Sequence, residues 1–211
     1  RGDTEETMKK MVIAAAAACA ALSCAPRIRT DYYLINTEPA VAKSASRLPL
    51  TVVINHVRAP SRYQDQIAYR TSEFRVGFYE YSRWAEPPAE MVWRAIPGAL
   101  SASGLFERAE PSDAAWNPDL ILQCAIIAFD QVLEKGGEYA DCRLAMELLT
   151  MDTRKVVWSK RTGALVKQEK RGAFVAAMDR AVARAVSDAV ADMEGSAALR
   201  EAAAGKGAAK P

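Results

Sequence analysis

The sequence is poor in the residues on which many catalytic and metal sites depend. It contains one histidine, His56, and four cysteines among 211 residues. The motifs that would give His56 a catalytic or metal-binding partner, His-Glu-x-x-His, Gly-x-Ser-x-Gly and Cys-x-x-Cys, do not occur. His56 lies in a segment with a strand pattern, and we interpret it as a structural residue. We therefore predict no catalytic residue, no metal site and no cofactor, and expect that the protein is not an enzyme.

Neither sign of charge is in excess. The 28 basic and 26 acidic residues leave a net charge of +2. Nucleic-acid-binding proteins carry a polybasic surface, and interaction tails carry blocks of like charge; neither pattern is present. Nucleic acid is therefore not a predicted partner. The length suits one domain with a hydrophobic core.

Long hydrophobic runs are missing as well. Residues 11–22 form a stretch of twelve apolar and small residues, which is short of the ~20 that cross a bilayer as a helix. Lys9 and Lys10 precede this stretch, and Ser23 and Cys24 follow it. A basic start, a short apolar region and a small residue before cysteine are typical of a bacterial lipobox. The alternatives are a signal peptide without acylation and a membrane span.

The lipobox predicts how the chain is organised. Residues 8–23 are the expected lipoprotein signal peptide, and Cys24 becomes the first mature residue, carrying diacylglycerol and an N-acyl chain such as palmitate. Residues 1–7 are acidic where a signal peptide is basic, and we interpret them as a non-native or mis-assigned extension. Residues 24–30 are a tether, residues 31–195 the folded domain, and residues 196–211 a disordered tail rich in alanine, glycine and lysine.

Hydrophobic periodicity predicts an α+β fold. Alternating or β-branched segments near residues 31–35, 50–57, 119–134, 139–151 and 156–166 are typical of strands. Apolar residues recur at helical spacing between Met91 and Leu100 and between Val175 and Met193. We predict a single domain in which an antiparallel meander carries two helices on one face. Pro97 is expected to kink the first helix.

Two cysteines remain inside the predicted domain, Cys124 and Cys142. A turn near Gly136 and Gly137 would join their strands and place Cys124 opposite Leu148 or Leu149. The resulting offset of about six residues corresponds to roughly 20 Å, which is too far for a disulfide. We predict two buried free thiols.

Aromatic residues are dense between Tyr63 and Trp93. Aromatic residues and arginine concentrate in the cores of protein interfaces, but aromatics are also common in strands that only pack internally. Both interpretations stay open. The part from Tyr69 to Trp84 is the predicted surface for docking or self-association, with five candidate residues: Tyr69, Arg70, Tyr79, Tyr81 and Trp84.

Several short motifs occur in a fixed order after the lipobox. They are Tyr32-Tyr33-Leu34, Arg58-Ala59-Pro60, Ile67-Ala68-Tyr69-Arg70, Arg83-Trp84-Ala85-Glu86-Pro87-Pro88, Ser103-Gly104-Leu105-Phe106 and Val156-Val157-Trp158. Their order resembles that of the ABC-type transport auxiliary lipoproteins, which include the paraquat-inducible-protein C type. The resemblance covers about residues 30–194.

The resemblance implies a function without catalysis. A member would be a periplasm-facing outer-membrane lipoprotein that serves intermembrane lipid transport, with an MCE-domain protein and a permease/ATPase complex as partners. Ala25 follows the lipidated cysteine where aspartate would signal inner-membrane retention in enteric bacteria, so outer-membrane sorting is expected. The alternative is a structural adaptor lipoprotein of another cell-envelope assembly.

Overall fold

The computed structural model describes residues 29–112, 117–170 and 172–208. Cys24, the predicted signal peptide and residues 1–7 lie outside these ranges. Within them, three helices and eight strands follow one another in this order: β1 (Asp31–Tyr33), β2 (Leu48–Ile54), β3 (Gln66–Ser72), β4 (Arg75–Trp84), α1 (Pro88–Ser103), β5 (Phe106–Pro111), β6 (Leu120–Glu134), β7 (Gly137–Thr150), β8 (Val156–Lys167), α2 (Phe174–Gly195) and α3 (Ala197–Ala208).

The fold is α+β, as predicted, but the sheet is not an antiparallel meander. Parallel pairs join β1 to β4, β2 to both β5 and β6, and β3 to β6. Antiparallel pairs join β3 to β4, β6 to β7 and β7 to β8. The predicted meander is therefore limited to β6, β7 and β8.

Strand β6 is the physical reason for the mixed topology. It has 15 residues and is largely buried, so it can pair along both edges over a long distance. One edge pairs with β7 from Leu120 to Glu134. The other edge pairs with β2 at Leu120–Leu122 and with β3 at Gln131 and Val132. Two separate strands thus share one edge of β6.

Helices α1 and α2 pack against each other, and α2 lies on β7 and β8. Thr162 of β8 donates a hydrogen bond to the carbonyl oxygen of Ala185, and the Trp158 indole donates to Asp192 of α2. Helix α1 begins with Pro88 and continues through Pro97 to Gly104, which ends it with a left-handed φ of 63°. Glycine is favoured there because it adopts positive φ without steric cost.

The predicted disordered tail contains a third helix. Residues 197–208 form α3, which packs against β2 and β8. Leu199 is fully buried and Ala203 is nearly so. These two apolar residues are four positions apart and therefore share one helix face. That face packs against the sheet, although the composition of the segment, rich in alanine and glycine, predicted disorder.

Cys124 and Cys142 are buried free thiols, which confirms the prediction. Burial raises the pKa of the Cys124 thiol to about 12 and raises the pKa of the Cys142 thiol as well. The predicted register was wrong, because Cys124 lies opposite Met146. The strands are joined at Glu134 and Gly137, and a bulge between Ile126 and Ala128 shifts the pairing further.

Candidate interface on strands β3 and β4

The five predicted interface residues lie on the β3–β4 hairpin, but in different surroundings. Tyr69 and Arg70 belong to β3, and the other three belong to β4. The hairpin pairs with β6 along the edge formed by β3 and with the short strand β1 along the edge formed by β4. The five residues therefore share one hairpin because they are close in sequence, but their side chains have different roles.

Trp84 is a core residue, and its assignment to an interface was wrong. Its side chain is 2 % exposed. The indole meets Phe129 edge-on, with ring centroids 5.5 Å apart, and Phe174 of α2 lies 5.9 Å away. The ring joins the hairpin to the sheet and to α2, so a partner cannot reach it.

Arg70 is held inside the protein by two carboxylates. Its Nε lies 2.9 Å from Asp130, and its terminal nitrogen lies 2.5 Å from Asp141. The Tyr63 hydroxyl also donates to Asp130, at 3.0 Å. Burial is the main cause that raises the pKa of Asp130, while Tyr63 and Arg70 oppose the shift. Arg70 therefore stabilises buried charge and is not available to recognise a partner.

Tyr69 and Tyr79 form a half-buried pair. Their ring centroids are 4.9 Å apart. The Tyr79 hydroxyl donates to the side-chain oxygen of Gln131 at 2.7 Å, and the Gln131 amide donates to Glu138 at 3.1 Å. Burial, with Glu138 and Tyr69, raises the pKa of Tyr79. The two tyrosines therefore mainly stabilise the hairpin and contribute little to its exposed surface.

A cavity of about 410 Å³ lies beside Tyr79. Apolar side chains of several elements line it: Tyr33, Ile67, Leu133, Phe174 and Val175. The polar groups that line it include Ser82, Gln131 and Glu138. The cavity therefore lies between the hairpin, the end of β6 and the start of α2.

The exposed surface of the hairpin is formed by other side chains. Tyr81 is 40 % exposed, Val76 and Phe78 are each 42 % exposed, and Phe74 in the turn is 93 % exposed. Strand β1 pairs only with Ser82, Arg83 and Trp84, and no other described strand pairs with that edge of β4. An open edge with apolar side chains is suited to the addition of an extended segment.

The five candidate residues include Tyr81 but not Phe74, Val76 or Phe78, although the predicted segment Tyr69 to Trp84 contains all three. Selection by residue type favours tyrosine and tryptophan, which are typical of interfaces. The exposure of Val76 and Phe78 depends instead on the tertiary structure, because β1 is too short to pair beside them. The signal that could have found them is the alternation of apolar residues that ends at the turn. We define the edge surface as Phe74, Val76, Phe78 and Tyr81.

His56, which the sequence suggested to be a structural residue, lies just after β2. Its ring stacks on Trp93, with centroids 4.5 Å apart and planes 20° apart. Among the residues described, no three histidine, cysteine or acidic side chains are grouped as a metal site would require. In the same ranges, no helix has both the length and the hydropathy to span a membrane.

Comparisons with solved structures give the same fold. A Xanthomonas campestris protein of the family DUF330 superposes with a TM-score of 0.68 at 16 % identity, covering 81 % of this chain and 99 % of that one. A hypothetical protein from Chlamydia trachomatis superposes with a TM-score of 0.50 at 9 % identity, covering 70 % and 97 %. At such identities the likeness concerns the fold alone.

Comparison with the curated proteins gave no match. The sequence profile described as "ABC-type transport auxiliary lipoprotein component" matches residues 32–191, which include both the β3–β4 hairpin and helix α2. The match extends over most of the chain. This chain therefore belongs to the ABC-type transport auxiliary lipoprotein family.

Proposed function

We propose that the protein is a non-enzymatic lipoprotein that docks an MCE-type intermembrane lipid-transport system at the periplasmic face of the outer membrane. Family membership across residues 32–191 is the observation that carries the proposal. The partners would be an MCE-domain protein and, through it, a permease/ATPase complex. Self-association of the chain is compatible with the same role.

The edge surface supports a role in docking. Its side chains are apolar and exposed, and the adjacent backbone of β4 has an open edge in the part of the chain described. Backbone hydrogen bonds to an added strand would give affinity, and Val76 and Phe78 would give selectivity through their shape. This arrangement can bind a partner without any catalytic group.

The proposed membrane anchor is the acylated Cys24. A single acyl chain gives marginal membrane binding, whereas several chains on one residue hold a protein firmly. Ala25 follows the cysteine, which favours sorting to the outer membrane. The domain would then act while held at the membrane surface.

Affinity purification of the full-length lipoprotein from solubilised membranes tests the proposal. We expect an MCE-domain protein to co-purify, and we expect Phe78→Ser with Tyr81→Ser to reduce its recovery at least about tenfold. Val156→Ser is the control, because Val156 is 46 % exposed but lies on β8.

Two outcomes would contradict the proposal. Recovery of secretion or cell-wall proteins without an MCE-domain protein would favour the structural adaptor of another envelope assembly. Equal losses in the double variant and in Val156→Ser would show that the edge surface is not the docking site.

A further inference from the structure

A groove of about 370 Å³ crosses the outward face of β7 and β8. Thr162 of β8 points toward α2, where it bonds to Ala185, so the alternate residues Arg161, Gly163 and Leu165 face away from the helices. The groove is lined by these residues and by Ile127, Asp141 and Arg143. We call it the arginine groove.

Gly163 determines how Arg143 lies in this groove. The two residues are opposite each other in the β7–β8 register. A Cβ atom on residue 163 would lie 2.7 Å from Cγ of Arg143 and 2.8 Å from the carbonyl oxygen of Cys142. Because glycine leaves that space open, the Arg143 side chain lies over residue 163, and its guanidinium pairs with Asp141 of the same strand at 3.0 Å. Its side chain is still 51 % exposed.

Arg161 lies diagonally across from Arg143, two residues from Gly163 on β8. Long side chains at diagonal positions of neighbouring strands are within reach of each other. Within the described ranges, Arg161 makes no ion pair or side-chain hydrogen bond. Glu147 lies diagonal to Arg161 on its other side, and among the described residues no ion pair joins the two. The guanidinium of Arg161 therefore retains its bonding capacity.

The groove has more positive than negative charge. Asp141 is already paired with both Arg70 and Arg143, and Asp130 is paired with Arg70. Arg62 adds a further cation at the rim, since it donates to the carbonyl oxygen of Ile127 at 3.4 Å. Leu165, which also lines the groove, is 54 % exposed. The surface thus combines the guanidinium of Arg161, unpaired in the described part of the chain, and a net positive charge with an exposed apolar side chain.

We propose that the arginine groove binds the phosphate group of an anionic lipid. Arg143 and Arg161 would donate to the phosphate oxygens, because planar guanidinium groups suit bidentate contacts with phosphate. Leu165 and Ile127 would contact the first methylene groups of the acyl chains. The inference does not depend on the transport proposal, because the site is defined by this face of the sheet alone.

Titration of the full chain carrying Cys24→Ser tests the inference without a contribution from the acyl anchor. The probes are dihexanoyl phosphatidylglycerol, dihexanoyl phosphatidylcholine, inorganic phosphate and an acidic peptide. Amide resonances identify the site, and calorimetry gives the affinity. We expect phosphatidylglycerol to shift the amides of Gly163 and Leu165, and we expect Arg161→Gln to weaken its binding about tenfold.

Arg184→Gln is the matched control, because it removes the same charge from the exposed face of α2. Inorganic phosphate that competes with phosphatidylglycerol would support recognition of the phosphate group itself. Phosphatidylglycerol binding without such competition would support a site that also needs the acyl chains. Equal binding of phosphatidylcholine, tighter binding of the acidic peptide, or equal losses in the two arginine variants would overturn the inference.

Discussion

The ring of Tyr69 occupies the space above Gly77 on the opposite strand, so a methyl group at residue 77 would overlap the ring. A side chain of the neighbouring strand β3 thus covers Gly77 of β4. The same ring then packs against Tyr79. The position of the Tyr69 ring thus depends on a residue that has no side chain of its own.

We expect Gly77→Ala to lower the free energy of unfolding by about 1–3 kcal/mol, because the Tyr69 ring must move away from its place against Tyr79. Denaturant unfolding measures the change. Gly98→Ala is the control, since a Cβ there meets no atom within 4 Å and alanine is favoured in a helix. If the two variants lost the same stability, the contact of Tyr69 with Gly77 would not be the cause.

Tyr79→Phe should lower the free energy of unfolding by about 0.5–1.5 kcal/mol, because it removes the hydrogen bond to Gln131. Tyr81→Phe should leave stability unchanged, because its hydroxyl is exposed on the edge surface. Thermal unfolding of the two variants side by side makes the comparison. An unchanged melting temperature for Tyr79→Phe would instead support Tyr79 as a free interface residue.

Burial raises the pKa of Asp130 above its usual value of 3.8. An acid with a raised pKa in the folded state contributes most to stability below its unfolded pKa, and this contribution falls as pH rises through the folded pKa. Asp130→Asn should therefore make the slope of unfolding free energy against pH more positive in that acidic interval. Denaturant unfolding across the interval measures the slope, and NMR titration of the carboxyl group provides the direct check. A pKa of 3.8 or lower for Asp130 would contradict this prediction.

Leu199→Ala should lower the free energy of unfolding by about 2–5 kcal/mol, because α3 packs as part of the domain. Leu199 is fully buried, so its truncation leaves a cavity beneath the helix. Glu201→Ala is the control, because Glu201 is exposed on the same helix. If residues 197–208 were a disordered tail, both substitutions would be neutral in denaturant unfolding.

Cys24→Ser should abolish labelling of the protein with palmitate, because the thiol is the proposed site of acylation. The protein should then be found as unprocessed precursor or in the soluble periplasmic fraction. Membrane fractionation after labelling gives both measurements. Continued labelling and membrane association would show that the lipobox interpretation is wrong.

The sequence predicted local structure better than strand pairing. The apolar stripes of α1 and α2 and the β6–β7 turn all depend on neighbouring residues, and their signals are therefore local. Alternation along a strand shows which residues share a face, but it does not show which strand lies at each edge. The parallel pairs of β2 with β5 and of β3 with β6 could not be deduced for that reason.

The candidate interface shows the same limit at the level of side chains. Trp84 and Tyr81 are both aromatic, lie three residues apart and belong to one strand, yet one is in the core and the other is exposed. The difference arises from Phe129 and Phe174, which are distant in sequence and cover only Trp84. Aromatic density drew attention to this hairpin, and tertiary packing determined which of its side chains remain exposed.

The three partners of β6 have a consequence for how the domain opens. Because β2, β3 and β7 all hydrogen-bond to this strand, separation of any one of them exposes backbone groups of β6 that the others still flank. Regions linked in this way tend to unfold as one cooperative unit. The amide protons of β6 should consequently exchange with solvent only through global unfolding, while those of Arg75–Tyr81 exchange through local fraying of the open edge.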